Sequence, residues 1–190
     1  IDYSVESQAD LDENGTLTSA LILIMRNGYT PEQRIVGFPD DYYDGMRWNN
    51  DTRDFFSQEG FYGGFLRMFL PEDAEIVLIS GFDEPAEVIA KQTPLSVVGG
   101  YVGLQAGESR VIGVIWLQHG IDVNADAPFE ALIQRQPGLP IPEITLSVQL
   151  PTSYAVRSTT PTSTSAIDNQ FEWQTVLNRD QRIQVSLTSD

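Results

Sequence analysis

A chain of 190 residues with 27 acidic and 11 basic side chains, one His and no Cys is bounded before any motif is read. The formal charge of −16 repels phosphate backbones and anionic membrane surfaces, which argues against nucleic acid as a partner. The absence of Cys excludes disulfides, thiolate zinc sites, iron–sulfur clusters and cysteine nucleophiles, and a single His excludes any site built on two imidazoles.

Taken in chain order, Ile1, Tyr3 and Val5 open on a period of two, the mark of a strand with one dry face. Leu17 to Met25 is apolar on both parities and predicts a central strand with both faces covered or partly covered. Its longest apolar run, Ala20 to Met25, is far short of the roughly 20 residues that cross a bilayer, so no direct membrane insertion is expected. Asn27 to Asn50 reads as a long irregular loop with Pro31, Pro39 and the cluster Asp40-Asp41-Tyr42-Tyr43-Asp44. Asp51 to Gln58 fits a two-turn helix with Asn50 or Asp51 as its N-cap.

Phe65 to Leu70, Ile76 to Ile79 and Val111 to Leu117 are again apolar on both parities. Gly99, Gly100 and Gly103 fall within a strand pattern and predict a bulge or close sheet packing. Phe129 to Gln136 fits a helix through Phe129, Leu132 and Ile133, and equally a strand through Phe129, Ala131 and Ile133. Three clear alternations follow: Ile144 to Leu150, Phe171 to Leu177, and Ile183 to Leu187, with Trp116 and Trp173 on core parities. Arg157 to Asn169, rich in Ser and Thr, reads as a flexible surface loop. Turn signals at Glu13-Asn14-Gly15, Pro71-Glu72-Asp73, Gln105 to Glu108 and Asn178-Arg179-Asp180 separate the apolar runs. The pattern predicts an all-β, antiparallel two-sheet sandwich of immunoglobulin-like character with little helix. It is read as one domain over 1–190, or alternatively as sub-domains 1–120 and 128–190. A start at Ile1 without Met or leader reads as a fragment of a longer chain.

Several segments recur together in one family. Asp12-Glu13-Asn14-Gly15-Thr16-Leu17 leads into a strand ending Met25-Arg26-Asn27, followed by Phe65-Leu66-Arg67-Met68-Phe69-Leu70-Pro71. Gly99-Gly100-Tyr101-Val102-Gly103-Leu104, Ala106-Gly107-Glu108-Ser109 and Ile133-Gln134-Arg135-Gln136-Pro137-Gly138 come next in order. The arrangement resembles the C-terminal region of the bacterial proteins grouped as domain of unknown function 4012. That resemblance implies a β-sandwich outside the cytoplasm, tethered through a membrane-anchored N-terminal part, and a strand at Phe129 to Gln136. It carries over no catalytic residue.

The sharpest chemical pattern is Asp10-x-Asp12-x-Asn14-Gly15-Thr16, the first half of a calcium loop. Asp10, Asp12, Asn14 and Thr16 are therefore the candidate ligands, and calcium the one candidate cofactor. Leu21 stands where a bidentate Glu would close the set, and Asn14-Gly15 also fits an acidic hairpin tip. Tyr42, Tyr43 and Trp48, beside Asp40, Asp41, Asp44, Asp51 and Asp54, could stack and hydrogen-bond sugar rings, or could fold back over a sheet edge. His119 closes a strand with no Gly-x-Ser-x-Gly elbow to present a nucleophile, and reads as a surface residue. The leading expectation is a non-catalytic structural or interaction module of a cell-envelope protein, not an enzyme. Its partner would be a protein or a cell-wall polysaccharide, met through edge strands or the Asn27 to Asn50 loop. The alternatives are a carbohydrate-binding module using Tyr42, Tyr43 and Trp48, and an acid-pair hydrolase with two carboxylates in a cleft.

Overall fold

Successive side chains of a strand point to opposite faces, so period-two hydrophobicity becomes one dry and one wet surface. The computed structural model of the chain describes residues 1–30, 44–49, 54–84, 86–92, 95–121, 129–134 and 141–189. Its first strands are β1 (Asp2–Leu11), β2 (Leu17–Arg26), β3 (Asp44–Asn49), β4 (Asp54–Glu59), β5 (Tyr62–Pro71), β6 (Glu75–Ser80), β7 (Glu87–Gln92) and β8 (Leu95–Leu104). They are followed by β9 (Ser109–Gln118), β10 (Phe129–Ile133), β11 (Glu143–Gln149), β12 (Tyr154–Thr160), β13 (Ser165–Ile167), β14 (Gln170–Val176) and β15 (Gln181–Ser189). The chain is all-β, a β-sandwich built from several mainly antiparallel sheets, and no helix occurs among the described residues.

Two compact units are interleaved along the sequence. The first comprises Ile1–Tyr3, Ile24–Glu72 and Ser80–Ile112; the second comprises Ser4–Leu23, Asp73–Ile79 and Gly113–Asp190. The boundaries run inside β2 and β9, and no single cut at 121–127 reproduces them.

The second unit carries the sandwich. Strands in the order β13-β14-β11-β1-β2-β9-β6 form one sheet, and β10-β15-β12 form another. Between them Ala9, Leu11, Leu17, Leu146, Val148, Leu150 and Trp173 pack against Ile183 and Val185, with Phe129, Ala131 and Val156 partly buried around them. The dry row read in the sequence, Ile144, Leu146, Val148 and Leu150, is buried throughout. β1 and β11 pair in parallel, Ser4 to Asp10 against Glu143 to Gln149, while β11–β14 is antiparallel. The turn between β1 and β2 uses Gly15 at φ 75°, where a Cβ would also sit 2.8 Å from the Ile121 carbonyl oxygen. β10 pairs with β15, so the strand reading of Phe129 to Ile133 is the one observed.

The first unit contains the sheet β5-β8-β7 and the hairpin β3-β4. Met68, Leu70, Val98, Val102 and Leu104 are buried in it. Gly100 and Gly103 do mark close packing: a Cβ on Gly103 would meet the Phe61 ring at 2.7 Å, and one on Gly100 would meet the Phe82 ring.

Several expectations are corrected. The described part of the expected Asp51 to Gln58 helix is strand: Asp54–Glu59 pairs with Asp44–Asn49 as a hairpin, which also converts the end of the expected 27–50 loop into strand, while 51–53 lie outside the described residues. A two-turn helix is marginal by itself, whereas a register-matched partner satisfies backbone groups at once. Arg157 to Asn169 is ordered into β12, β13 and a turn in which Asp168 and Asn169 adopt φ 48° and 61°. Thr164 holds it, its hydroxyl donating to the Glu172 carbonyl at 2.7 Å. Phe65 to Leu70 and Ile76 to Ile79 are partly covered, as expected of them, with Phe65, Phe69, Val77 and Leu78 each about half exposed.

Candidate functional site

The calcium candidates divide between two places. Asp12, Asn14 and Thr16 come together in the β1–β2 turn, where Asp12 Oδ1 accepts the amides of Asn14 at 2.9 Å and Thr16 at 2.8 Å. These backbone donors, Thr16 first, hold the Asp12 carboxyl below its usual range, with His119 adding a smaller contribution. The carboxylate thus does what an Asx turn requires of it. Asp10 lies two residues back in β1, on an exposed position. Among the described residues no three His, Asp or Glu side chains converge as a metal site.

His119 is exposed beside the same turn. Its Nδ1 lies 3.4 Å from Thr16 Oγ1 and its Nε2 lies 3.3 Å from Glu75 Oε2. Next to it, Gln118 Nε2 donates to Asp73 at 3.1 Å. In the first unit Arg110 binds Asp83 and, at 3.2 Å, Glu108, while the Asp83 amide donates to the Tyr101 carbonyl. Tyr42 and Tyr43, with Asp40, Asp41 and Asp51, lie outside the described residues. Trp48 falls in β3 in register with Phe55, and Asp44 and Asp54 sit in β3 and β4.

A concave feature that the sequence does not announce lies within the second unit. It is a depression of about 470 Å³ lined by Gln8, Asp10, Thr18, Ser147, Gln149 and Gln170, with Ala20 and Ile115 supplying apolar floor. Strand pairing explains why these residues meet. Asp10 stands opposite Gln149 and Gln8 opposite Ser147 across the parallel β1–β11 pair; Gln149 in turn stands opposite Gln170. The Asp12 amide bonds the Thr16 carbonyl at 3.0 Å, and continuing that ladder sets Asp10 against Thr18. A polar row Gln170–Gln149–Asp10–Thr18 therefore crosses four strands. It occupies the parity opposite to the buried Ala9, Leu11, Val148 and Leu150.

Within that row the Gln149 amide nitrogen is engaged by the carbonyls of Leu150 at 3.0 Å and Asp168 at 3.3 Å. Among the described residues no partner engages the side chains of Gln8, Asp10, Thr18, Ser147 or Gln170. Asp10 is the one carboxylate among the described residues that line the depression. Glu172, opposite Ser147, accepts from Gln174 Nε2 at 2.7 Å. Sequence reading missed this site because Thr145, Ser147 and Gln149 look like any solvated strand face. The signal that could have found it was the matching polar parity of Gln8 and Asp10.

No protein-family model matches the chain, and no curated protein does. Among solved structures, a variant of a two-domain M1 zinc metallopeptidase bound to L-tryptophan is similar with a TM-score of 0.42 and 10% identity, covering 97% of this chain and 43% of that one. A variant of an M1 zinc metallopeptidase from Deinococcus radiodurans gives a TM-score of 0.41 at 9% identity, over 97% of this chain and 41% of its own. The chain thus spans about two fifths of the length of the solved structures it matches.

Proposed function

We propose that this chain is a non-catalytic recognition module, an extracytoplasmic β-sandwich that serves a larger cell-envelope protein by binding. The observation that carries the reading is the depression itself. Five polar side chains without a partner among the described residues are gathered around one concavity of about 470 Å³. Ligand sites are concavities of this size in which a few convergent polar groups fix the ligand's orientation. Acid-pair hydrolysis asks for two carboxylates facing each other across a cleft. Here one carboxylate stands among amides and hydroxyls, which are groups that hold a ligand and do not transfer its protons. The resemblance to the domain of unknown function 4012 region supports the extracytoplasmic and tethered part of the reading.

Cosedimentation with isolated bacterial cell-envelope material tests it. The wild-type chain is expected to pellet with the material, a Gln8→Ala/Gln170→Ala double variant to remain in the supernatant, and no new reducing ends or free amines to be released. Binding that survives the double substitution, or product release abolished by Asp10→Asn, would overturn the proposal.

A further inference from the structure

The chemistry of the depression narrows what it takes. We infer that it binds a neutral, hydroxyl-rich glycan segment laid across β14, β11, β1 and β2, an inference that rests on reading the chain as a recognition module. Three observations lead there.

The first is the kind of polar group. Each sugar hydroxyl both donates and accepts, and a primary amide offers a donor and an acceptor in one plane. Gln8 and Gln170 have amides that no partner among the described residues engages, Thr18 and Ser147 add hydroxyls that serve either way, and Asp10 adds a carboxylate able to accept from two neighbouring hydroxyls. Gln149 keeps its oxygen for a ligand because its nitrogen is already held by Leu150 and Asp168, and that tether also fixes the side chain in place.

The second is charge. Among the described residues no basic side chain lines the depression, Asp10 is acidic, and the chain carries −16 overall. Phosphorylated, sulfated or uronic acid polymers would be repelled, so among glycans a neutral one fits.

The third is position on the sheet. β1 and β11 are interior strands whose amides and carbonyls are paired on both sides. An extended peptide added to a sheet draws its affinity from main-chain groups at an edge, and none are open here. Ala20 and Ile115 provide only a small apolar floor, too little for the buried centre of a protein–protein interface. A polymer that bonds through hydroxyls all along its length fits a row of side chains spaced by the strand separation. Four strands span about 14 Å at about 4.8 Å between neighbours, enough for a short run of sugar residues. Among the described residues no aromatic ring lines the depression, so binding is weak and depends on hydrogen bonds.

Affinity electrophoresis of the whole chain through gels containing dextran, laminarin, galactomannan or hydroxyethylcellulose tests the assignment, with polygalacturonate as the anionic comparison. At least one neutral polymer is expected to retard the protein. Gln8→Ala and Gln170→Ala should each weaken that retardation about three- to tenfold, and Asp10→Asn by about tenfold. Gln174→Ala, on β14 but outside the depression, should leave it unchanged. Unaltered mobility in all four neutral polymers, equal retardation of wild type and variants, or preference for polygalacturonate would overturn the glycan assignment. If the neutral polymers fail while the double variant still releases the chain from envelope material, the glycan assignment falls and the module reading stands. If both assays fail, both fall.

Discussion

The side-chain amide of Asn27 donates to the carbonyl of Gly60 at 2.6 Å, joining positions 33 residues apart. The same nitrogen reaches the Leu104 carbonyl at 3.2 Å, and Asn27 Oδ1 accepts the Tyr29 amide at 3.1 Å. Its backbone is held as well, the amide by the Glu108 carbonyl and the carbonyl by the Gly107 amide. At 3% exposure this is a buried polar residue with its hydrogen-bonding capacity met, and it ties three stretches of the first unit together.

Replacement of Asn27 by Ala removes the side-chain hydrogen bonds to the Gly60 and Leu104 carbonyls and to the Tyr29 amide, the second of them fully buried. The expected cost is about 3 kcal/mol, because an unmet buried group loses its desolvation free energy without return. Equilibrium unfolding in urea would show a lower midpoint at an unchanged slope. A midpoint within error of wild type would show that water replaces the side chain freely.

Gly81 adopts φ 89°, and a Cβ there would collide with the Val111 carbonyl and lie 2.7 Å from Ile112 Cα. Both obstacles are backbone in a strand, so neither can swing aside. Gly81→Ala is expected to destabilise the chain by about 2–3 kcal/mol, more than the left-handed backbone alone would cost. Thermal unfolding followed by circular dichroism measures it, with Gly107→Ala as the comparison. At Gly107 φ is 80° but nothing lies within 4 Å of the added carbon, so only the backbone term applies.

Acid should act through two carboxylates. Asp12 is held low by the Thr16 and Asn14 amides, and Glu108 is held low first by the Gln105 amide, 2.8 Å away, and then by Arg110. A carboxyl whose folded pKa is depressed binds fewer protons in the folded state than in the unfolded one. Its stabilisation is therefore complete above the ordinary values, 3.8 for Asp12 and 4.5 for Glu108, and is lost as pH falls through the folded values below them. Asp12→Ala and Glu108→Ala should each be less stable than wild type at pH 7, with the difference shrinking as pH falls from about 5. Urea titrations at a series of pH values would show this convergence; differences that stay constant with pH would assign the loss to packing.

Trp173 is 3% exposed in the sandwich core, and its indole N–H donates to the Pro161 carbonyl at 2.9 Å. Trp173→Phe should remove that hydrogen bond and some volume, whereas Trp173→Ala should cost about 3–5 kcal/mol by leaving a cavity. The tryptophan fluorescence of a Trp48→Phe/Trp116→Phe background, which keeps Trp173 as its one tryptophan, would report the core transition at Trp173. A Trp173→Ala variant as stable as Trp173→Phe would mean that the core collapses around the gap.

The alternation Ile144–Leu150 and Ile183–Val185 was enough to name the dry faces, since period two needs only the residues themselves. The turn at Asp12–Thr16 was likewise legible, because Asn14-Gly15 is local chemistry. The oxygen pattern there reads as a cation loop for the same reason that it makes a good Asx turn: carboxylates bind amides as readily as ions.

What the one-dimensional string determined is thus the strand content and which parity is apolar, both properties of neighbouring residues. Tertiary structure alone decided that β1 lies between β11 and β2, and that the polar parity of three distant segments becomes one row of amides, hydroxyls and a carboxylate. Strand order is set by long-range pairing and by the closing of a shared core, neither of which has a period in sequence. The outcome at 54–59 has the same origin: a strand there depends on a partner, and the partner is chosen by the fold.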